Sequence, residues 1–295
     1  MSDTLVRGTS MDGSFRIFCA VTTELVNKAR SIHSASRVAS AALGRLLTGA
    51  AIMGAAGLKQ DTDSITLQIH GNGPLGQLIA VTDCHSKVRG YVQNPKAELP
   101  LNSAGKLDVG GAVGSGSLAV IRDLSMSKPY IGQIPLVSGE IADDLTAYYA
   151  QSEQIPTAIA LGVLASTKDN HIIAAGGYMI QLLPGADDSV IDRLEQNLAH
   201  AKSVSKMIES GMSAQDIIFE VTNGFSVLLE NKEALPEYKC KCSKHKMEQA
   251  LISIGKDELK AIIDEQGKAE MCCHFCNNKY LFNKSELEKL LKEAV

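Results

Sequence analysis

Chemistry in this chain gathers near its C-terminus. Cys240-Lys241-Cys242 is a Cys-x-Cys pair, and Cys273-His274-Phe275-Cys276 is a Cys-x-x-Cys pair thirty residues further on. Of seven cysteines, the other three are Cys19, Cys84 and Cys272. In a reducing cytoplasm, a cysteine cluster points to a metal or redox site rather than a structural disulfide. Four thiolates suit one tetrahedral Zn²⁺ per chain, with Zn–S near 2.3 Å in order of magnitude, about the value of structural zinc sites. Thiolates also suit an iron–sulfur cluster. Cys272 ranks as a spare thiol, because neighbours on an extended strand point to opposite faces. His245 and His274 stand as alternative fourth ligands, each more simply read as exposed or as a supporting residue.

Such a centre has two uses. Zinc holds a small module together, and its ligands remain thiols that an oxidant can attack. A sulfenic acid formed on one sulfur is resolved by a neighbouring thiol into a disulfide. A disulfide no longer ligates, so the metal and its folding energy leave together. A static structural site has to avoid this chemistry, whereas a sensor uses it.

The elements that position the cysteines divide into three parts, and the fold class they imply is α+β. Residues 1–183 form a mixed α/β core domain. Phe15, Ile17, Cys19 and Val21 share one face of a strand, as do Ile65, Leu67 and Ile69. Further strands are expected at 77–82, 88–92, 117–122, 130–137, 156–165 and 171–182. A long Ala- and Gly-rich helix runs from about Ser34 to Ala56, and a second helix follows Ser138-Gly139. Residues 184–234 form a helical linker. Ile191, Leu194 and Leu198 recur at helical spacing there, so another part of the protein has to cover that stripe. Phe225, Val227 and Leu229 alternate as a short strand. Residues 235–295 form a zinc-binding domain with 11 Lys, no Arg and 10 acidic residues, a balance that leaves it nearly neutral before its thiolates are counted. A stretch of about 60 residues makes only a marginal core and needs a metal or disulfide. Helices are expected from Met247 to Ile254 and from Glu258 to Glu265, with Asn283-x-x-Glu286 capping a last one.

Composition excludes several functions. The net charge is -4 and aromatic residues are 4% of the chain with no Trp, so a basic, base-stacking nucleic-acid surface is not expected. No uncharged apolar run reaches the roughly 18 residues of a membrane span, and no secretory leader is read at the N-terminus. Gly110-Gly111-Ala112-Val113-Gly114-Ser115-Gly116 lacks the Lys-Ser/Thr of a phosphate loop and reads as turn glycines, as does Gly71-Asn72-Gly73-Pro74. Glu140, Asp143 and Asp144 read as carboxylates at a helix start. The histidines are dispersed, and no Ser–His–Asp or Cys–His constellation is expected, so no catalytic residues are assigned and the protein is not read as an enzyme.

The cysteine signature Cys240-Lys241-Cys242-Ser243 with Cys273-His274-Phe275-Cys276 resembles that of the redox-regulated thirty-three-kilodalton heat-shock chaperone (chaperonin) family of bacteria. Asn277-Asn278-Lys279-Tyr280-Leu281-Phe282 and Ala250-Leu251-Ile252-Ser253-Ile254-Gly255 extend the likeness. So do Gly71-Asn72-Gly73-Pro74-Leu75-Gly76, Arg89-Gly90-Tyr91-Val92-Gln93-Asn94-Pro95, Ser138 to Asp144 and Ser152 to Pro156, which together span nearly the whole chain.

The resemblance implies an α/β core, a helical linker and a small zinc-binding domain. It implies that Cys240, Cys242, Cys273 and Cys276 bind zinc in a reduced, inactive state. It further implies that oxidation forms the disulfides Cys240–Cys242 and Cys273–Cys276, releases zinc and unfolds the linker. The oxidised protein then forms a homodimer that holds unfolding client proteins in the cytoplasm without ATP, under oxidative and heat stress. Two other classes fit a zinc module: a nucleic-acid-binding protein and a thiol–disulfide oxidoreductase. Balanced lysines argue against the first, and the distance of Cys273-x-x-Cys276 from the β-rich region argues against the second.

Overall fold

The computed structural model describes residues 2–230 and 234–293. Residues 231–233 of the expected linker and the last two residues of the expected zinc-binding domain lie outside that range. The chain divides into two compact units, Met1–Lys239 and Cys240–Val295.

The first unit runs, in chain order, β1 (Thr4–Ser10), β2 (Phe15–Val21), α1 (Thr23–His33), α2 (Arg37–Gly57), β3 (Ser64–Gly71), β4 (Gln77–Asp83) and β5 (Lys87–Val92). Then come α3 (Val109–Val113), β6 (Gly116–Asp123), β7 (Tyr130–Pro135), α4 (Ala142–Tyr148), β8 (Thr157–Ala165) and β9 (Ile172–Leu182). Three helices, α5 (Asp188–His200), α6 (Val204–Glu209) and α7 (Ala214–Val221), precede the short strands β10 (Val227–Leu229) and β11 (Glu237–Tyr238). One sheet has the order β10-β1-β2-β9-β8 and the other β11-β5-β4-β3-β6-β7. Every pairing is antiparallel except β11 on β5, which is parallel.

The period-two alternation of β2 explains the layering. Phe18 and Ala20 face a core built around α2 with residues of both sheets, among them Leu67, Val120 and Met179. Phe15, Ile17, Cys19 and Val21 face the other way, into a second core roofed by Leu194 of α5, Val204, Met207 and Ile208 of α6, and Ile217, Ile218 and Val221 of α7. The stripe on α5 is thus covered by a sheet, with Leu194 buried and Ile191 and Leu198 half-buried. By length and composition α2 could cross a membrane, but 94% of its most apolar window is buried inside the protein, as befits a core helix. Its glycines permit that packing: a Cβ on Gly44 would stand 2.6 Å from Val26 and 3.0 Å from Val163.

The structure departs from the sequence-based expectation in several places, strand β11 at 237–238 and the hairpin at 268–283 among them. The long helix starts at Arg37 rather than Ser34, because Ser34 takes a left-handed conformation that ends α1 and Ser36 caps α2 by accepting from Ala39 N. Strand β1 and helix α1 were not expected. Val109–Val113, read as turn glycines, is a single helical turn capped by Asp108. It sits so close to the Gly71–Gly73 turn that a Cβ on Gly73 would meet Ala112 O at 2.4 Å. Asp144 does more than offset a helix dipole. Fully buried, it accepts from the backbone N–H of Val137, Ser138, Gly139 and Ile141, while Glu140 pairs with Arg45.

The second unit contains α8 (Lys244–Ser253), α9 (Lys256–Gln266), the hairpin of β12 (Lys268–Cys272) and β13 (Lys279–Asn283), and α10 (Lys284–Glu293). Gly267 ends α9 in a left-handed conformation. The expected cap of α10 forms in both directions: Glu286 N donates to Asn283 Oδ1 at 3.0 Å and Asn283 N donates to Glu286 Oε2 at 2.9 Å. The hydrophobic core comprises Leu251, Leu259, Ile263, Phe282, Leu287 and Leu290. Six buried side chains make a thin core for a unit of this length.

Candidate metal centre

Two local structures carry the four cysteines. Cys240 and Cys242 lie in extended chain just before α8, whose N-cap Ser243 accepts from Lys246 N. Cys273 and Cys276 lie in the tight turn between β12 and β13. Cys273 N donates to Asn278 O at 2.9 Å, and the N–H groups of Cys276 and Asn277 point back to Cys273 O at 3.2 and 2.8 Å. Asn277 takes φ 58, a conformation asparagine tolerates better than most residues. The turn thereby aims two sulfurs at the extended segment.

All four Sγ atoms lie within 4.8 Å of one another. The Cys240–Cys273 sulfurs are 3.7 Å apart and the Cys242–Cys276 sulfurs 3.4 Å. Four sulfurs about 2.3 Å from a common ion would have edges of about 3.8 Å, so the cluster has the size of a tetrahedral thiolate cage. Four cysteines so placed could hold a metal ion, and the cluster is compatible with a zinc-binding domain. Cys273 is buried and the other three are half-buried. Cys272 is exposed, opposite Lys279 in the β12–β13 ladder, and lies outside the group, as do His245 and His274.

The sulfurs are electrostatically unequal. Burial disfavours the thiolate of Cys242, but hydrogen bonds from Tyr280 and the three neighbouring thiols outweigh it and bring this cysteine down to about 7. Tyr280 Oη donates to Cys242 Sγ at 3.1 Å. Burial pushes the Cys240 and Cys276 thiols up. The hydrogen bonds thus favour the thiolate at Cys242, and the thiolate is the form that binds metal or attacks an oxidant.

Fold and cluster together define a class: a two-sheet α+β protein with a small C-terminal four-cysteine unit. The sequence model of the Hsp33 protein family matches residues 3–283. The chain belongs to the Hsp33 family. It is 45% identical to the 33 kDa chaperonin of Clostridium acetobutylicum over 293 residues, covering 99% of this chain and 98% of that protein. The 33 kDa chaperonin of Desulforamulus reducens is 46% identical with the same coverage. The crystal structure of the 33 kDa chaperonin from Thermotoga maritima superposes with a TM-score of 0.91 at 38% identity, over 99% of each chain. These relatives are named as chaperonins and not as enzymes, which supports a chaperone function and, with it, the binding of client proteins.

Sequence reasoning missed two features. Tyr280, noted only within a run resembling the family, is the hydroxyl donor to the cluster. No spacing rule marks it, because the contact spans 38 residues. The expectation that no Cys–His constellation exists is also corrected. Asp61, Cys84 and His85 offer ligand atoms within 4.8 Å of one another. The adjacency of Cys84 and His85 was the available signal, but Asp61 joins them only through the fold.

Proposed function

We propose that this protein is a redox-regulated holdase chaperone, inactive while Cys240, Cys242, Cys273 and Cys276 bind one Zn²⁺, and activated when these cysteines are oxidised. The observation that carries the reading is the clustering of four sulfurs in a unit whose apolar core has six buried side chains among the described residues. Bound there, zinc would cross-link the extended segment to the hairpin turn and supply about 10–16 kcal/mol of apparent folding energy. A core of this size rarely supplies more than about 3–5 kcal/mol by itself.

The chemistry begins on a thiolate. A hydroperoxide gives up one oxygen as its O–O bond breaks, taking two electrons from the sulfur and leaving a sulfenic acid and an alcohol or water. A second thiol attacks that sulfur and expels water, closing a disulfide. The proposed products are Cys240–Cys242 and Cys273–Cys276. In the folded unit, sulfur contacts of 3.7 and 3.4 Å run between the pairs instead. Those contacts depend on the fold, whereas residues two or three positions apart stay close as the unit loosens, because short loops cost little to close.

In this reading 1–183 is the core domain, 184–234 the linker and 235–295 the sensing domain. The chain between α7 and Cys240 is fastened by β10 on β1, by an Ala234–Leu5 bridge and by β11 on β5. These pairings are two or three residues long. β11 lies within 235–295, so once the sensing domain unfolds, the β10–β1 pairing, the Ala234–Leu5 bridge and the apolar packing under α5–α7 are left to hold the helical roof on the first sheet. Lifting α5–α7 would uncover Phe15, Ile17, Val21, Tyr178 and Ile180. Apolar surface of that kind is worth about 25 cal/mol per Å² when an unfolding client, or a second oxidised chain, covers it. The working compartment is the cytoplasm, where thiols are held reduced until stress arrives.

The test is light scattering of a thermally unfolding protein with reduced, oxidised and re-reduced chain, with metal release followed in the same tube. Suppression by the oxidised form alone, tracking metal release, is expected. Equal suppression by all three forms would overturn the gating. Peptide mapping that found Cys240–Cys273 or Cys242–Cys276 disulfides would overturn the pairing.

A further inference from the structure

The first unit carries a second constellation on the rim of its six-stranded sheet. Cys84 and His85 form the β4–β5 turn, and Asp61 lies in the loop between α2 and β3. His85 Nε2 is 2.9 Å from Asp61 Oδ1, and Cys84 Sγ is 3.7 Å from the same oxygen. Both loops are braced. Asp83 Oδ1 accepts from His85 N and Lys87 N, and Ser86 turns the chain with φ 57. On the other side Asp63 Oδ2 accepts from Lys59 N and Gln60 N, and Ser125 Oγ donates to Thr62 Oγ1 at 2.6 Å.

We propose that Asp61, Cys84 and His85 form a second metal site, open on one side, that takes a borderline divalent transition-metal ion such as Zn²⁺. A thiolate, an imidazole and a carboxylate are the ligand types that such ions prefer. Three protein ligands leave a fourth position for water or an incoming ligand, the pattern of open rather than structural zinc sites.

A second observation points the same way. Asp63 is 5% exposed, and its Oδ1 is buried with no hydrogen-bond partner among the described residues. Asp61, Asp63 and Asp83 bring three carboxylates to these two loops. Asp61 meets the His85 ring at 2.9 Å, a contact that carries a positive charge only when the ring is protonated. A cation at the three ligand atoms would offset this excess of negative charge. Binding requires Cys84 to lose its thiol proton to solvent, and His85 to present a neutral ring nitrogen. No electrons are transferred. The site involves none of the four clustered cysteines and does not depend on the function proposed above.

The experiment uses the reduced full-length chain with its four-cysteine cluster first saturated with Zn²⁺, then titrated with Co²⁺. Cobalt binds N/O/S sites more weakly than zinc, so it leaves the saturated cluster in place. One further equivalent should bind, with the sulfur-to-cobalt charge-transfer intensity of a single thiolate. Cys84→Ser should abolish that band. His85→Ala and Asp61→Asn should each weaken binding at least about tenfold, in line with the loss of a metal ligand. Cys272→Ser, which removes an exposed thiol outside the site, should change nothing. Asp61, His85 and Cys272 are exposed and Cys84 is half-buried, and circular dichroism checks that each variant is folded. Absence of a cobalt–thiolate band at up to millimolar Co²⁺ would overturn the site. So would a band that survives Cys84→Ser, or one unchanged by both His85→Ala and Asp61→Asn.

Discussion

Replacing Tyr280 by Phe removes one hydroxyl and leaves the ring in place. The ring packs at the margin of the Leu251–Leu290 core, and Phe retains that contact. What is lost is the 3.1 Å hydrogen bond to Cys242 Sγ, the main interaction lowering that cysteine. Without it burial acts with less opposition, Cys242 rises above about 7, and fewer chains offer a thiolate at neutral pH. Supporting hydrogen bonds to metal ligands are worth about 10–100-fold in affinity, and a half-exposed donor belongs at the lower end, about tenfold. The assay is competition against a chromophoric chelator with reduced chain and Zn²⁺. Stability of the metal-free chain should be unchanged, because the hydroxyl serves the sulfur and not the core. Affinity within twofold of the parent would refute the assignment of Tyr280. Equal destabilisation of the metal-free chain would show that the residue acts through packing.

Cys240→Ser, Cys242→Ser, Cys273→Ser and Cys276→Ser should each lower bound zinc far below one equivalent, while Cys272→Ser retains it; equal loss with Cys272→Ser, read by elemental analysis, would move the ligand assignment. Chelating the metal should make the unit beyond Cys240 protease-sensitive while a fragment ending near Lys239 survives, and first cuts within 60–180 would refute independent folding. Asp144→Ala leaves four backbone donors, those of Gly139 and Ile141 buried, short of their acceptor and should cost about 2–4 kcal/mol in denaturant unfolding, with a cost below about 0.5 kcal/mol ruling out the anchoring role. Burial lifts Asp3 to about 6 against the opposing hydrogen bonds from Glu24 N and Leu25 N. A raised folded-state pKa makes its contribution complete below the ordinary value of 3.8 and lost as pH rises through about 6. Carbon NMR should show the carboxyl titrating near 6, and a midpoint at the ordinary value would refute it.

What could be read from the sequence follows the range of the interactions involved. Periodicity is local, so β2 to β9 appear with ends only slightly displaced, and the facing of Phe15, Ile17, Cys19 and Val21 is as the alternation implied. The Asn283–Glu286 cap is legible for the same reason, since both hydrogen bonds close within three residues. β1 was missed because Arg7, Gly8 and Thr9 dilute its apolar pattern. Its strand character comes from pairing with β2 and β10. Helix α1 was missed because its apolar face, Leu25, Val26 and Ala29, is narrow and its cap has no side-chain hydrogen bond.

The same distinction separates the two candidate metal sites. In the four-cysteine cluster each half is written as a local pair, so only the meeting of two pairs had to come from the fold. In the second site Asp61 and Cys84 lie 23 residues apart, joined because β3 and β4 pair and bring the α2–β3 loop beside the β4–β5 turn. Tyr280 belongs to this second kind. It reaches Cys242 only because β13 folds back on β12 and carries residue 280 past the Cys273–Cys276 turn. Ligand pairs are therefore visible before folding, while the groups that tune them, and any site assembled from single residues, become visible only after it. In the function proposed above, such a unit would keep its thiol pairs close through short loops even when unfolded, and would lose the tuning of Cys242 as soon as the hairpin opens.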